Sequence, residues 1–439
     1  MTATRRIVVV GAGSCGCVVA ERLTRDDTVE VILLEEGATA ADDADLDLTM
    51  LPVGPASRRV THHRAVGGQA LPRGRGPGGS SAVNGGYFMR WHDDDFAGWD
   101  RDSWDLDTIA AAYTDIDGGA DGGGAMSVRE FTDDELTPIA AAFEKHWKDD
   151  GYEQIDSVTP RVGVNRVRSN SRGSQRVPAD RAYLWPARGR SNLTVRTGAR
   201  ADRLRVDGSL VRGVLLDTGE TVAADETILC AGTLASAALI ARSTGAAATR
   251  RIGEHRELLI RYRPRGDAGA QLPLLPTVLH TEDGLEIRCY NDDFARYIEG
   301  VEPTGAAIGI ALMAPRASGS LTIDAAGAQQ VDLGVVAPDD ITLVRSWADR
   351  LVEMLAGRRF AGLLDADSVT VDDVVLTSQH AWGSMPMGGI TDWNGAVTGL
   401  DGVRVIDGSI LPSSGSSGPH ATLMMAASVI AARLSAGRL

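Results

Sequence analysis

The chain has 439 residues, of which 59 are acidic and 44 basic, for a net charge of −15. Such an acidic surface repels phosphate backbones and anionic lipid, so nucleic-acid partners are not expected. Hydrophobic residues make up 43% of the chain, enough for a large buried core, and four cysteines do not make a disulfide framework.

The first residues carry no charged-then-apolar leader, so a cytoplasmic location is expected. Residues 6–37 read as strand, glycine turn, helix and strand. Ile7, Val8, Val9 and Val10 form a continuous apolar run, as in a parallel strand covered on both faces. Gly11, Gly13 and Gly16, with Ser14 and Cys15 between them, then give GxGxxG in its required context, a strand before and a helix after. The glycines permit a tight turn and let the backbone approach a pyrophosphate, whose charge meets the helix N-terminus. Glu35 ends the second strand, about 20 residues past the last glycine, where a carboxylate can accept from ribose hydroxyls. That acid disfavours a 2′-phosphate and leaves NAD or FAD. Glu36 points to the other face. Cys15 and Cys17 read as small packing residues, and no metal site is expected.

Residues 74–90, GRGPGGSSAVNGGYFMR, narrow the choice. They resemble the first signature of the glucose–methanol–choline (GMC) flavin oxidoreductases, in which such a segment runs along the flavin. Gly74, Arg75, Gly78, Gly79, Ser80, Ser81, Asn84 and Arg90 carry the match. The resemblance implies FAD, with Gly78, Gly79, Ser80, Asn84 and Gly85 in contact with it. Some relatives bind the flavin covalently through a histidine in this loop. Ala82 and Val83 stand at the two positions before Asn84 here, so non-covalent FAD is expected.

Further along, His92 beside Asp93, Asp94 and Asp95 reads as a hydrated surface rather than a metal site, and His62–His63 as a solvated pair. Residues 117–125, DGGADGGGA, read as a flexible loop. Residues 192–231 alternate like a β-meander and end in an apolar strand before Ala231. Residues 227–245 resemble the family's second signature, with Ala237–Ala238 where Pro-Gln is usual; Ala231 here, and Ala201 before it, are flavin contacts the resemblance implies. Residues 256–376 read as several strands and one helix near 340–356.

The C-terminal part resembles the family's catalytic end. His380 opens HAWGSMPMGG, with Ala381, Trp382 and Ser384 as departures from the family pattern. Asp407 and Gly408 match the Asp-Gly whose backbone touches the flavin. His420 falls where relatives carry the second catalytic His or Asn. Gly418–Pro419 suits a helix entrance, and the apolar run 423–434 reads as a buried helix rather than a membrane span. That helix start, with Ala421, would turn its positive end to the flavin.

The resemblance implies an α/β architecture of the two-domain type shared with p-hydroxybenzoate hydroxylase. A Rossmann-like FAD-binding domain would be assembled from residues 1–95, 171–255 and 377–439. A substrate domain would be built on an antiparallel sheet with helices from residues 256–376, with a helical and loop contribution from 96–170. The implied reaction is oxidation of a small-molecule alcohol. His380 would handle the hydroxyl proton, His420 would bond the same oxygen, and hydride would pass to flavin N5. The electron acceptor stays open among oxygen, a quinone and a redox carrier. The GGYFMR variant also resembles GMC enzymes associated with mycofactocin. Two alternatives share the scaffold: an FAD-containing hydroxynitrile-lyase-like enzyme and an inactive flavin-binding protein.

Overall fold

The apolar run at Ile7–Val9 is fully buried, and in the computed structural model it forms the middle of a parallel sheet. The structure describes residues 5–38, 46–266 and 272–437. The sheet has five strands in the order Leu193–Thr197, Val29–Glu35, Arg5–Val10, Glu226–Leu229 and Val403–Val405. All four pairings are parallel. Strands far apart in sequence thus converge, and the turns after them open at one edge. Helix Ser14–Leu23 packs against the C-terminal helix His420–Ser435, whose Met424, Met425, Ala426 and Ala427 are fully buried.

The expected β-meander over 192–231 is corrected in its ends. Leu193–Thr197 and Glu226–Leu229 belong to the parallel sheet, and only Ala201–Asp207, Leu210–Leu216 and Thr221–Ala223 form an antiparallel three-stranded unit. Leu193–Thr197 is an edge strand, and an edge strand half-open to water alternates as a meander strand does.

The second sheet runs Leu364–Val371, Arg256–Pro264, Ala306–Leu312, Leu285–Cys289, Thr277–His280, Gly163–Arg166, Gln154–Ile155. Its pairings are antiparallel except the last. One face is apolar: Leu258, Ile260, Ile287, Ile308 and Ile310 share a core with Val344, Trp347 and Leu351 of helix Pro338–Ala356. The other face carries Glu257, His280, Glu286 and Arg288, all buried, and it turns toward the parallel-sheet unit.

The run at 117–125 is wound tightly rather than left as an open loop. Asp117 is 1% exposed and accepts from Arg90 at 2.6 and 2.8 Å. A Cβ on Gly124 would lie 2.3 Å from the Ile116 carbonyl oxygen. The glycines here allow chain to wrap round a buried ion pair. No helix among the described residues is long and apolar enough to cross a membrane.

Candidate active site

The glycine turn is built by close backbone approach. Gly11 has φ +101°, and a Cβ on Gly16 would stand 1.9 Å from Gly11 O, so neither position accepts another residue without displacement of the turn. Gly13 caps the helix without a side-chain bond, which leaves the amides that follow it at Ser14 and Cys15 free for an anion. The second glycine loop lies on the first: Gly78 N donates to Ala12 O at 2.8 Å, and a Cβ on Gly79 would sit 2.7 Å from Gly13 Cα. Ser81 Oγ accepts from Ala179 N at 2.9 Å, and Ser80 Oγ accepts from Gly74 N at 3.1 Å.

Glu35 joins these loops. It is 6% exposed, and its carboxylate accepts from Ala12 N at 2.9 Å, Gly37 N at 2.8 Å and Gly76 N at 2.9 Å. A carboxylate has about four acceptor positions, so three are already used by the backbone and one is left. Glu36 is exposed and pairs with Arg75 at 3.3 Å. Ala201 opens its strand just past Ala199, whose N–H reaches Glu35 O at 2.8 Å. Cys15 and Cys17 turn their thiols to the carbonyls of Leu423 and Ala12, and no metal-binding cluster occurs among the described residues.

Beyond Ala231, Asp407 is buried and ties its own turn to the segment that follows Ala231. It accepts from Gly232 N at 2.8 Å, Ser236 Oγ at 2.5 Å and Ser409 N at 2.8 Å. Burial nevertheless pushes its carboxyl up. Gly408 follows, where a Cβ would meet Thr233 Oγ1 at 2.5 Å. Asn84 bonds back to Gly86 N through Oδ1 at 3.0 Å, with Nδ2 3.3 Å from His420 Nδ1. No atom would crowd a Cβ on Gly85.

His380 lies against Gly418, which stands two residues before His420. A Cβ there would lie 3.3 Å from His380 Cε1, 3.4 Å from His380 Nε2 and 3.4 Å from a Tyr87 ring carbon. His420 heads the helix two residues later, with Ala421 fully buried behind it. Its Nε2 is buried with no hydrogen-bond partner, and Phe88 meets its ring edge-on at 5.0 Å. Burial lowers His420 to about 4. His380 is also held well below the usual imidazole value, by burial first and then by His255 and Arg288. Both imidazoles are therefore neutral near pH 7. Gln379, just before His380, has φ +68° and is the single non-glycine residue with positive φ among those described. Its side chain is held by Ala70 O at 2.9 Å and Arg73 at 3.0 Å.

The sequence reading did not reach the wall across from these histidines. Tyr87 OH donates to Glu286. Arg288 Nε meets Glu286 Oε1 at 2.7 Å, and Arg288 Nη1 meets Glu257 Oε2 at 3.0 Å. Tyr290 OH donates to Glu257 at 2.7 Å. Burial would push Glu286 up, but the Arg288 charge and bonds from His280 and Tyr87 hold it well below the usual carboxylate range. His280 lies 2.9 Å from Glu286, and its Nδ1 lies 2.9 Å from His92 Nε2. His92 is thus half-buried in this network rather than a hydrated surface residue. The signal was present as alternation of Leu285, Ile287 and Cys289 with Glu286 and Arg288. Ordinary reading sends the charged side of such a strand to solvent.

Comparison with known proteins identifies the family and the fold. The N-terminal and C-terminal models of the GMC oxidoreductases match residues 5–258 and 315–427. A GMC-type oxidoreductase of Rhodococcus erythropolis from the thcA 5′ region, described as uncharacterised, is 33% identical over 96% of each chain. Pyridoxine 4-oxidase of Microbacterium luteolum is 34% identical, but over 54% of this chain and 51% of that protein. Among solved structures, pyridoxine 4-oxidase from Mesorbium loti superposes with a TM-score of 0.86 at 24% identity, covering 97% of this chain and 98% of that one. A formate oxidase superposes with a TM-score of 0.83 at 17% identity, covering 100% of this chain and 99% of that one. The fold is theirs, and the chain belongs to the GMC oxidoreductases, a family of FAD-dependent enzymes.

Proposed function

We propose that the protein oxidises a small-molecule alcohol with non-covalent FAD, using His380 as the base and His420 as a second contact to the same oxygen. The observation that carries this reading is the arrangement around Gly418. His380 lays its Nε2 edge against Gly418, and His420, whose buried Nε2 has no partner, opens the helix two residues on.

The residues present fit FAD. The uncapped helix start at Ser14 suits the pyrophosphate, and the glycines at 11, 13, 78 and 79 leave bare backbone beside it. The acceptor position left on Glu35 suits a ribose hydroxyl. When bound, FAD supplies the acceptor for the hydride that leaves the carbinol carbon. His380, neutral and unprotonated at Nε2, takes the hydroxyl proton. His420 donates a hydrogen bond to the oxygen from Nε2, its orphan atom, and so orients the alcohol. Tyr87 and Phe88 pack beside the two rings and limit water near them.

Bonding at Ala82 or Val83 offers no covalent link to the flavin. The test is addition of a panel of alcohols to the purified protein without oxygen, with the visible flavin spectrum as readout. Bleaching by an alcohol, and intact FAD released on denaturation, are the expected results. Cleavage of a cyanohydrin with an unchanged flavin spectrum would make it a lyase. A spectrum that no alcohol alters would leave only a flavin-binding protein. Oxygen, quinone and carrier are then compared as reoxidants.

A further inference from the structure

The segment Gly253–Glu254–His255 grips His380 at both backbone and ring, which the reading above does not use. Glu254 Oε1 accepts from His380 N at 2.7 Å. His255, 1% exposed at the start of strand Arg256–Pro264, places Nδ1 2.9 Å from His380 Nδ1. The two rings stand edge to face at 89°. Trp382 covers the outside of His255, with centroids 4.6 Å apart. Gly253 makes room for it, since a Cβ there would lie 2.2 Å from the indole. Trp382 is one of the departures from the family pattern, and this contact gives it a place.

Two ring nitrogens 2.9 Å apart need one proton between them. His255 Nε2 is buried without a hydrogen-bond partner, so the side of His380 that faces the site decides which ring carries it. His380 turns its Nε2 edge to Gly418, where the alcohol-oxidation reading needs a lone pair. A neutral imidazole with a lone pair on Nε2 carries its proton on Nδ1. Burial drives His255 down to about 3, so it is neutral, and with its own proton on Nε2 its Nδ1 accepts from His380.

We propose that His255 is a positioning residue that fixes His380 in the Nδ1–H tautomer and leaves Nε2, the edge facing Gly418, as the basic nitrogen. This inference deepens the alcohol-oxidation reading and rests on it. When His380 takes the substrate proton at Nε2, its Nδ1–H bond to His255 becomes charge-assisted and so strengthens. The neutral His255 thus favours the protonated product of the step without carrying charge itself. The other charged or titratable groups around His380 are Glu254, Arg73, Arg288, Glu286 and Tyr87. None of their side chains meets Nδ1 among the described hydrogen bonds.

Two measurements test this. The first needs no substrate: ring-nitrogen NMR of holoenzyme labelled with [15N]histidine, with His380→Gln to identify the signal. The expected result is a protonated Nδ1 and a lone pair on Nε2. A protonated Nε2 at His380 overturns the proposal. The second compares His255→Asn, whose side-chain oxygen can stand in for the Nδ1 acceptor, with His255→Leu. The expected loss in anaerobic flavin reduction for His255→Leu is on the order of 10²-fold, as for loss of an orienting partner. FAD content and the substrate concentration at half-saturation should stay as in wild type. His255→Asn should recover to within roughly tenfold. Equal rates in the two variants overturn the proposal. If no alcohol reduces wild-type enzyme, the alcohol reading fails and the NMR result alone decides the tautomer.

Discussion

Arg288→Met is the sharpest probe of the polar wall. The Arg288 side chain is 6% exposed, lies between Glu286 and Glu257, and neutralises one of their two charges. Methionine keeps the length but leaves both carboxylates buried without a cation. Breaking a buried ion pair from one side costs about 3–5 kcal/mol. The cost should depend on pH in a definite direction. In wild type Glu286 is held below its ordinary 4.5, so its stabilisation is present above that value and lost as pH falls. In the variant the bonds from His280 and Tyr87 remain but the neighbouring cation is gone, so burial moves the carboxyl upward, and the penalty is full at high pH and relieved as the group takes up a proton. The stability gap between the two proteins should therefore narrow on acidification. The assay is urea unfolding followed by tryptophan fluorescence at pH 8 and pH 5.5, with Arg288→Met/Glu286→Gln as a third protein. The double variant should regain part of the loss at pH 8. A gap below about 1 kcal/mol, or equal at both pH values, would refute the charge balance described here.

Glu35→Ala should weaken both the apo-protein and its hold on FAD, because three backbone N–H groups lose their acceptor at roughly 1–3 kcal/mol for each left unsatisfied. Glu36→Ala should do neither, and equal FAD retention after dialysis in the two variants would contradict the bracing role. In the pH profile of flavin reduction, the low value of His380 keeps the base unprotonated into mild acid. The rate should hold its plateau from pH 8 to pH 6, where an ordinary imidazole would have lost about fourfold; a half-maximal rate near pH 6.5 would refute it. His420→Asn should keep more of the reduction rate than His420→Ala, since an amide can still donate to the oxygen, and equal rates in stopped-flow would remove that contact.

The parts of the fold legible in the sequence were those where local pattern and tertiary role coincide. Ile7–Val10 is apolar throughout because both faces of that strand are covered, and its glycine turn had one structural meaning. Leu193–Thr197 was not legible, since an edge strand shows the alternation of an antiparallel one. The run 117–125 looked loose because glycine content does not reveal that Arg90 and Asp117 meet inside it. At the candidate site, His380 and His420 were reached through motif register. His255 was not, because an isolated histidine beside Glu254 and Arg256 looks like a charged surface until the strand Arg256–Pro264 turns it inward. Glu286 and Arg288 were hidden for the same reason. Their partners come from strands and loops distant in sequence, and only the assembled sheet makes a buried face of them.

The account rests most directly on the base. Rapid mixing of His380→Ala with an alcohol that bleaches the wild-type flavin, in the absence of oxygen, measures its contribution in a single turnover. The account expects a variant with wild-type FAD content and visible spectrum whose reduction is slower by roughly 10²–10⁴-fold. Reduction at the wild-type rate would contradict proton removal by His380.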